Sequence, residues 1–245
     1  MHEESLRLAS KYTVLAGLTP VRLASILVGR WPSGAPLMRS PVADDSSLAA
    51  HQLAVNNFQF TNPTDSIRLI PGAANPPDHF SPAPADADGL RCPFAAHIRK
   101  VNPRDDTTEL GGFERSLPKR ILRRGIPFGT PLANPLRPGR DKGQRGLLFV
   151  AYQAFIDTQF EFLMTDWADS ISNPHSYRGD GNEYAAGHDP IIGQEPASGR
   201  GRIFTLRIDS HTFETISLPP DWVVNTGGDY FFTPSIRALK TILAT

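Results

Sequence analysis

The chain has 245 residues, 40% of them hydrophobic and 20% charged, so it can bury a sizeable core in one or two domains. Lysine plus arginine and aspartate plus glutamate both number 25, which argues against nucleic acids and anionic membrane surfaces as partners, since both attract a basic excess. No apolar run approaches the roughly 20 residues that span a bilayer, so we expect no membrane partner.

The first predicted element is a helical stretch over residues 4–29. Leucine, alanine and valine recur there at a spacing of three to four, and Thr19 followed by Pro20 introduces a break. Residues 72–88 and 129–143 are crowded with proline and other turn-forming residues. We predict a long surface loop at each of these two places.

A short apolar helix is predicted between these loops, with Pro93 as its first residue and Pro103 ending it. One of its faces presents an imidazole among hydrocarbons, formed by Phe94, His97, Ile98 and Val101. His97 fits two interpretations: a core residue hydrogen-bonded to backbone, or an axial ligand of a haem iron. Cys92, the only cysteine, fits a small buried hydrophobe. Motifs typical of hydrolases, nucleotide-binding loops and zinc sites do not occur.

The second half of the chain mixes predicted strands and helices. The predicted elements are a central strand at 146–152, a helix at 155–167, a strand at 202–208, short strands at 222–224 and 230–232, and a helix at 234–243. Because they do not follow a regular βαβ order, we predict an α+β fold in which a sheet carries helices on one face.

Four sequence blocks, in this order, resemble the fungal dye-decolorising peroxidases. They are CPFAAHIRKVNPR at 92–104, RRGIPFG at 123–129, RGLLFVAYQ at 145–153 and DPIIGQ at 189–194. The resemblance implies one of the two ferredoxin-like halves of a dimeric α+β barrel-type peroxidase, built on an antiparallel sheet. Residues 1–245 would then be the haem-binding C-terminal domain, preceded by a helical segment at 1–30, with the N-terminal domain absent. It also implies one b-type haem, hydrogen peroxide and aromatic substrates, and an extracellular protein.

The resemblance assigns roles to five residues. His97 is the implied iron ligand, and Asp189 accepts a hydrogen bond from the other imidazole nitrogen and so strengthens electron donation to the metal. Arg123 is the implied catalytic cation on the peroxide side of the haem. Leu147 and Phe149 are expected to shape the dry pocket above the iron.

Each of these roles has a simpler alternative. Asp189 fits an ordinary turn residue of an Asp-Pro pair. Arg123 and the arginine after it fit a solvated pair at the end of a strand. Leu147 and Phe149 fit ordinary core residues, an interpretation compatible with the pocket.

A motif of the family's first half is missing from this chain. Family members carry Gly-x-x-Asp-Gly, whose aspartate works on the peroxide side of the haem, and the nearest candidates here, residues 85–89 and 177–181, lack the leading glycine. Two functions therefore stay open: a haem peroxidase that oxidises dyes or other aromatic compounds, and a catalytically impaired haem-binding fragment or pseudo-enzyme. We also expect self-association through the face left by the missing domain.

Two further sets of candidates depend on the resemblance. Surface aromatic residues could carry oxidising equivalents outward, but Phe128 stands where many relatives have tyrosine and has no phenolic proton to lose. The remaining candidates, each of which also fits a packing residue, are Trp31, Tyr152, Trp167 and Tyr230. The candidates for binding the haem propionates are Arg99, Arg104 and Arg115.

Overall fold

The computed structural model describes residues 18–62, 80–131, 143–179, 182–194, 199, 201–209, 211–219 and 222–243. The helices are α1 (Pro20–Val28), α2 (Ser46–Ala50), α3 (His97–Lys100), α4 (Phe113–Ser116) and α5 (Ile236–Ala238), with 3₁₀ turns at Ala54–Asn56 and Leu117–Lys119 and π-helical turns at Ile156–Glu161, Leu163–Ala168 and Leu239–Leu243. The strands are β1 (Leu122–Arg123), β2 (Ile126–Gly129), β3 (Arg145–Leu148), β4 (Ala151–Tyr152), β5 (Ser176–Gly179), β6 (Asn182–Ala185), β7 (Arg202–Arg207) and β8 (Phe213–Leu218).

The described strands pair two by two, all antiparallel. Strand β1 pairs with β4, β2 with β3, β5 with β6, and β7 with β8. This mixture of helices and strands agrees with the predicted α+β class, but the described residues do not form the single sheet of a ferredoxin-like fold.

The central strand predicted at 146–152 is wrong in its placement. It is divided into β3 and β4, each of which pairs with only one other strand. The residues of β3 are all exposed, so this apolar run does not lie in a core. Its β-type composition predicted extended structure correctly and burial incorrectly.

Helix α1 begins where the sequence predicts a break. The Thr19 side chain accepts a hydrogen bond from the Arg22 N–H, Pro20 occupies the first helical turn, and Gly29 ends the helix at φ +88°. Leu23 and Leu27 pack against Phe204 and Ile216 of the β7–β8 sheet and other apolar side chains. Residues 4–17 of the predicted helical stretch lie outside the described residues.

The later elements follow the predictions except at two places. Helical turns cover 156–168, β7 covers Arg202–Arg207, and the last helix begins at Ile236 with the Ser235 hydroxyl as its cap. No strand forms at 222–224 or 230–232: residues 222 and 223 form a bend, and the others have no regular secondary structure. The predicted loop segments 72–79 and 132–142 lie outside the described residues. None of the described helices is long and apolar enough to cross a membrane.

Helix α3 is shorter than predicted and starts at His97 rather than Pro93, because residues 93–96 form a turn. Ala95 belongs to the apolar cluster around α1 and β7, whereas Ala96 belongs to a second cluster that contains Phe58, Phe60 and Cys92. The turn before His97 is therefore anchored on both sides.

Candidate functional site

His97 and Asp189 meet, although 92 residues separate them. The Nδ1 atom of His97 lies 2.8 Å from Oδ2 of Asp189. The Asp189 side chain is completely buried, while the His97 side chain is 21% exposed. The core interpretation expected a hydrogen bond to backbone. The His97 imidazole pairs instead with a buried carboxylate.

The two groups shift each other's pKa. Burial alone would lower the pKa of His97, but the charge of Asp189 and its hydrogen bond outweigh this effect and leave that pKa raised. Burial alone would raise the pKa of Asp189, but the charge and hydrogen bond of His97, helped by backbone N–H groups, leave that pKa lowered. Both shifts favour a charged or strongly polarised pair.

Asp189 also has the turn role that its Asp-Pro sequence indicates. Its Oδ1 atom accepts hydrogen bonds from the N–H groups of Ile191 at 2.8 Å and Ile192 at 3.0 Å. Its backbone N–H donates to the carbonyl of Ala168 at 2.9 Å. One carboxylate oxygen thus closes the turn while the other faces the imidazole, so the two interpretations of this residue are compatible.

The second ring nitrogen of His97 fits an iron ligand. Among the described residues Nε2 has no hydrogen-bond partner, and Nδ1 is held by a carboxylate, the arrangement in which metal-ligating histidines are oriented. No group of three metal-binding side chains forms among the same residues. A single imidazole suits a haem iron, whose porphyrin supplies four nitrogen ligands of its own.

Arg123 lies at the end of β1 and is exposed, as is Arg124 beside it. Its positive charge acts to lower the pKa of His97 and contributes to the lowered pKa of Arg30, so its field reaches the imidazole. This position fits both the implied catalytic cation and the solvated pair at a strand end.

Leu147 and Phe149 are 56% and 44% exposed, so their interpretation as core residues is wrong. They belong to a set of exposed apolar residues in and beside the paired strands β1–β4 and β2–β3. We call this the strand face; its residues are Leu122, Ile126, Phe128, Leu147, Leu148, Phe149 and Tyr152. Because neighbouring residues of a strand point to opposite sides and all residues of β2 and β3 are exposed, this set presents hydrocarbon on both sides of the paired strands. Exposed apolar surface of this kind marks a place where a ligand or another protein surface binds.

Arg99 is not available for a haem propionate, because it is completely buried in ion pairs. Its guanidinium donates to Asp106 at 2.7 and 2.8 Å and to Asp86 at 3.1 Å. Burial alone would lower the pKa of Arg99, but these carboxylates leave it raised. The guanidinium also lies over two rings, those of Phe60 and Phe94.

The other two arginine candidates differ in exposure. Arg104 donates to the carbonyls of Asn56 at 3.0 Å and Phe58 at 2.6 Å, and burial lowers its pKa to about 9. Arg115 is exposed. Cys92 is fully buried, and burial raises the pKa of its thiol to about 12, which agrees with a small hydrophobe rather than a reactive group.

The aromatic candidates divide by burial. Trp31 and Trp167 are buried, and their indole N–H groups donate to the Ser40 carbonyl at 2.6 Å and to Glu109 at 2.7 Å. The exposed ones are Phe128, Tyr152 and Tyr230, at 56%, 53% and 48%. Among these candidates, Tyr152 and Tyr230 are the ones that combine an exposed side chain with an oxidisable phenol.

Lys100 is a buried residue that the sequence analysis missed. Its side chain is completely buried, and Nζ donates to the carbonyls of Ser170 at 2.9 Å and Asn173 at 2.6 Å. Burial lowers its pKa to about 7, and nearby carboxylates, that of Asp189 first, oppose the shift. Helical periodicity places a lysine in solvent, so no sequence signal marked this one.

Comparison with known proteins gives sequence relatives of one kind. Residues 79–176 match the family model described as Dyp-type peroxidase, C-terminal. A dye-decolorizing peroxidase of Mycetinis scorodonius is 35% identical over 233 residues, 91% of this chain and 39% of that protein. One from Exidia glandulosa is 36% identical over 223 residues, 91% of this chain and 38% of that protein. The chain thus spans well under half the length of these relatives.

The solved structures that resemble this chain include dye-decolorizing peroxidases as well. A triple mutant of the decolorizing peroxidase of Auricularia auricula-judae has a TM-score of 0.69 and 33% identity, covering 99% of this chain and 50% of the other. An ancestral D-type dye decolorizing peroxidase has a TM-score of 0.72 and 35% identity, covering 99% and 49%. Residues 79–176 are therefore similar to the C-terminal domain of Dyp-type peroxidases, and the chain as a whole is similar to part of the fungal dye-decolorising peroxidases.

Proposed function

We propose that this chain is the haem-binding part of a peroxidase that reduces hydrogen peroxide and oxidises dyes or other aromatic compounds. The observation that carries the proposal is the 2.8 Å contact between His97 Nδ1 and the fully buried Asp189, which leaves Nε2 for the iron of a b-type haem. A dye-decolorizing peroxidase 32% identical to this chain was solved with 2,6-dimethoxyphenol bound, which supports aromatic substrates.

The proposed chemistry divides the work between haem and protein. Bound haem supplies the redox chemistry with peroxide. Asp189 accepts a hydrogen bond from the Nδ1–H group of His97, and this fixes the tautomer in which Nε2 carries a free lone pair. The same hydrogen bond makes the imidazole a stronger electron donor to the metal.

The opposite side of the haem needs a cation and an environment free of water. Arg123 is the proposed cation: its charge would stabilise the negative charge that develops on peroxide oxygen. Leu147 and Phe149, on the strand face, would exclude water, because their side chains are apolar and uncovered. These assignments rest on the exposure of the three residues together with the family relationship.

A second candidate function is a haem-binding module with impaired turnover. It is favoured by the pairing of the aspartates in the first of the two segments that resemble Gly-x-x-Asp-Gly. In the first degenerate Gly-x-x-Asp-Gly segment, Asp86 is buried against Arg99 and accepts the Cys92 N–H at 2.9 Å, and Asp88 pairs with Arg207 at 2.8 Å. Both carboxylates are paired with arginines, which opposes a role for either in moving a peroxide proton. Asp180 of the second segment lies outside the described residues.

Reconstitution with hemin separates the two candidates. The chain should take up one haem with a Soret band, His97→Ala should lose it, and His211→Ala, at an exposed histidine, should keep it. A rapid spectral change on adding hydrogen peroxide, followed by dye oxidation, supports the peroxidase. Haem uptake without this change supports the impaired module, and no haem uptake by the unmodified chain refutes both.

We further propose that residues 1–245 belong to a ferredoxin-like α+β half of a dimeric α+β barrel. The strand face would be covered in part by haem and in part by a second protein surface. For the chain on its own, another copy is the proposed cover, because exposed apolar surface favours association.

A further inference from the structure

Lys100 lies one helical turn beyond His97 and has no part in the chemistry proposed above. Lysine is almost never completely buried unless it is paired. Here two backbone carbonyls, of Ser170 and Asn173, accept from its Nζ at 2.9 and 2.6 Å. The side chain thus ties helix α3 to the segment 168–173.

The same segment holds the loop that carries Asp189. The carbonyl of Ala168 accepts the Asp189 N–H at 2.9 Å, and that of Ile171 accepts the Gly187 N–H at 2.8 Å. A Cβ atom added to Gly193 would lie 2.7 Å from the Ala168 carbonyl oxygen, so the two backbones are in close contact. Segment 168–173 is therefore bonded to both partners of the site, on one side through Lys100 and on the other through backbone.

We propose that Lys100 is a positioning residue for the His97–Asp189 pair: it fixes α3 to segment 168–173, which in turn fixes the Asp189 backbone. Segment 168–173 is a common support for the two residues, because it binds α3 through Lys100 and the Asp189 N–H through Ala168. Lys100 supplies the side-chain half of that support. Two measurements test this inference. The one made on bound haem rests on the proposed function, and the one made without haem does not.

The haem-free measurement is the proton NMR resonance of the His97 Nδ1–H, which appears far downfield when that group is hydrogen-bonded to a carboxylate and protected from water. Lys100→Met keeps the length of the side chain and removes the donors. We expect this resonance to be lost or broadened by exchange in Lys100→Met. Lys240→Met, at an exposed lysine, should retain it.

A milder variant perturbs the support and leaves the Lys100 charge in place. The Ser170 hydroxyl oxygen accepts the N–H groups of Ser172 at 3.2 Å and Asn173 at 3.1 Å, and so shapes the turn whose carbonyls bind Nζ. Ser170→Ala should broaden the same resonance, although less than Lys100→Met. Ser172→Ala, which removes an exposed hydroxyl from the same turn, should not. If Lys100→Met fails to fold, this comparison tests the proposal without it.

The reduction potential of bound haem separates position from charge. Removing a buried cation alone shifts the potential to more negative values, because the reduced haem loses a stabilising charge. A looser Asp189 hydrogen bond makes the His97 imidazole a weaker donor and shifts the potential to more positive values. Lys100→Met combines both effects, so the deciding variant is Ser170→Ala, which leaves the Lys100 side chain in place; there we expect a positive shift.

Two results would overturn the proposal. One is an unchanged Nδ1–H resonance in both Lys100→Met and Ser170→Ala, and the other is a negative shift of the potential in Ser170→Ala. A chain that takes up no haem contradicts the proposed function instead, and the NMR comparison then still decides the role of Lys100.

Discussion

The substitution Asp189→Asn tests the hydrogen bond between Asp189 and His97, because it replaces only the carboxylate oxygen that faces the imidazole. Asparagine keeps the shape of the side chain, and its carbonyl oxygen can still accept the N–H groups of Ile191 and Ile192, so the turn is retained. Its NH₂ group would face His97 Nδ1, and two donors cannot pair. The imidazole must then move its proton to Nε2, the nitrogen that is proposed to bind iron.

The structure sets the size of the effect. Loss of the carboxylate behind a ligating histidine lowers metal affinity by about 10- to 100-fold, which corresponds to about 1.4–2.8 kcal/mol. In the haem-free chain, a hydrogen bond to a charged group contributes about 1.5–3 kcal/mol. Because Asp189 is fully buried and His97 is only 21% exposed, little of this is lost to solvent screening.

The stability difference should depend on pH. The pKa of His97 is raised above its ordinary 6.5, so its contribution is complete below that pH and is lost as the pH rises through the folded-state value. The pKa of Asp189 is lowered from 3.8, so its contribution is complete above that pH and is lost as the pH falls through the folded-state value. The difference in free energy of unfolding between the wild-type chain and Asp189→Asn should therefore be largest between pH 3.8 and pH 6.5, the two ordinary pKa values.

Hemin titration followed at the Soret band measures the affinity, and urea unfolding between pH 3 and pH 9, a range of about six units chosen to span both ordinary values, measures the stability. A haem affinity within twofold of wild type would refute the proposed role of Asp189. A stability difference that stays flat across the pH range would refute the coupling of the two groups.

Three further predictions concern other parts of the chain. Arg123→Leu should retain haem, as judged by the Soret band, and slow peroxide cleavage by about 10²–10³-fold in stopped-flow measurements; an unchanged rate contradicts the catalytic role. Arg99→Met should lower the free energy of unfolding by about 3–5 kcal/mol, because two buried carboxylates lose their cation, whereas Arg115→Met at an exposed arginine should change it by under about 0.5 kcal/mol. The haem-free chain should self-associate in sedimentation velocity, and Leu147→Ser on the strand face should weaken the association; a monomer at all concentrations contradicts this prediction.

The elements that the sequence predicted well are those with local signals. Helix α1 has a capping threonine and a proline at its start, and β7 is a β-type run that pairs with the strand that follows it. The segments 222–224 and 230–232 have the residue types of strands, but no neighbouring strand pairs with them. Pairing depends on the rest of the fold, which a single segment does not encode.

The site divides in the same way. Asp189 could be matched to His97 only through the family resemblance, because nothing in the spacing of residues 92 positions apart indicates contact. Arg99 and Lys100 could not be predicted as buried, because periodicity assigns charged residues to the solvent face of a helix. Their burial depends on Asp86, on Asp106 and on the carbonyls of segment 168–173, all supplied by other parts of the chain.

The His97–Asp189 pair and the strand face differ in their environment, and this difference determines how each would contribute to binding. The carboxylate that accepts the hydrogen bond from His97 Nδ1–H is buried, and the low dielectric there strengthens this bond. Elsewhere the strand face exposes hydrocarbon to water. A bound group that covered part of that face would raise affinity through apolar burial at about 25 cal/mol per Å², while the polar pair fixes orientation. A metal-free analogue of haem with the same apolar area should therefore bind the wild-type chain and the Asp189→Asn variant with similar affinity. Haem should lose affinity in Asp189→Asn, and the size of this loss measures how much of the haem affinity comes from the iron bond.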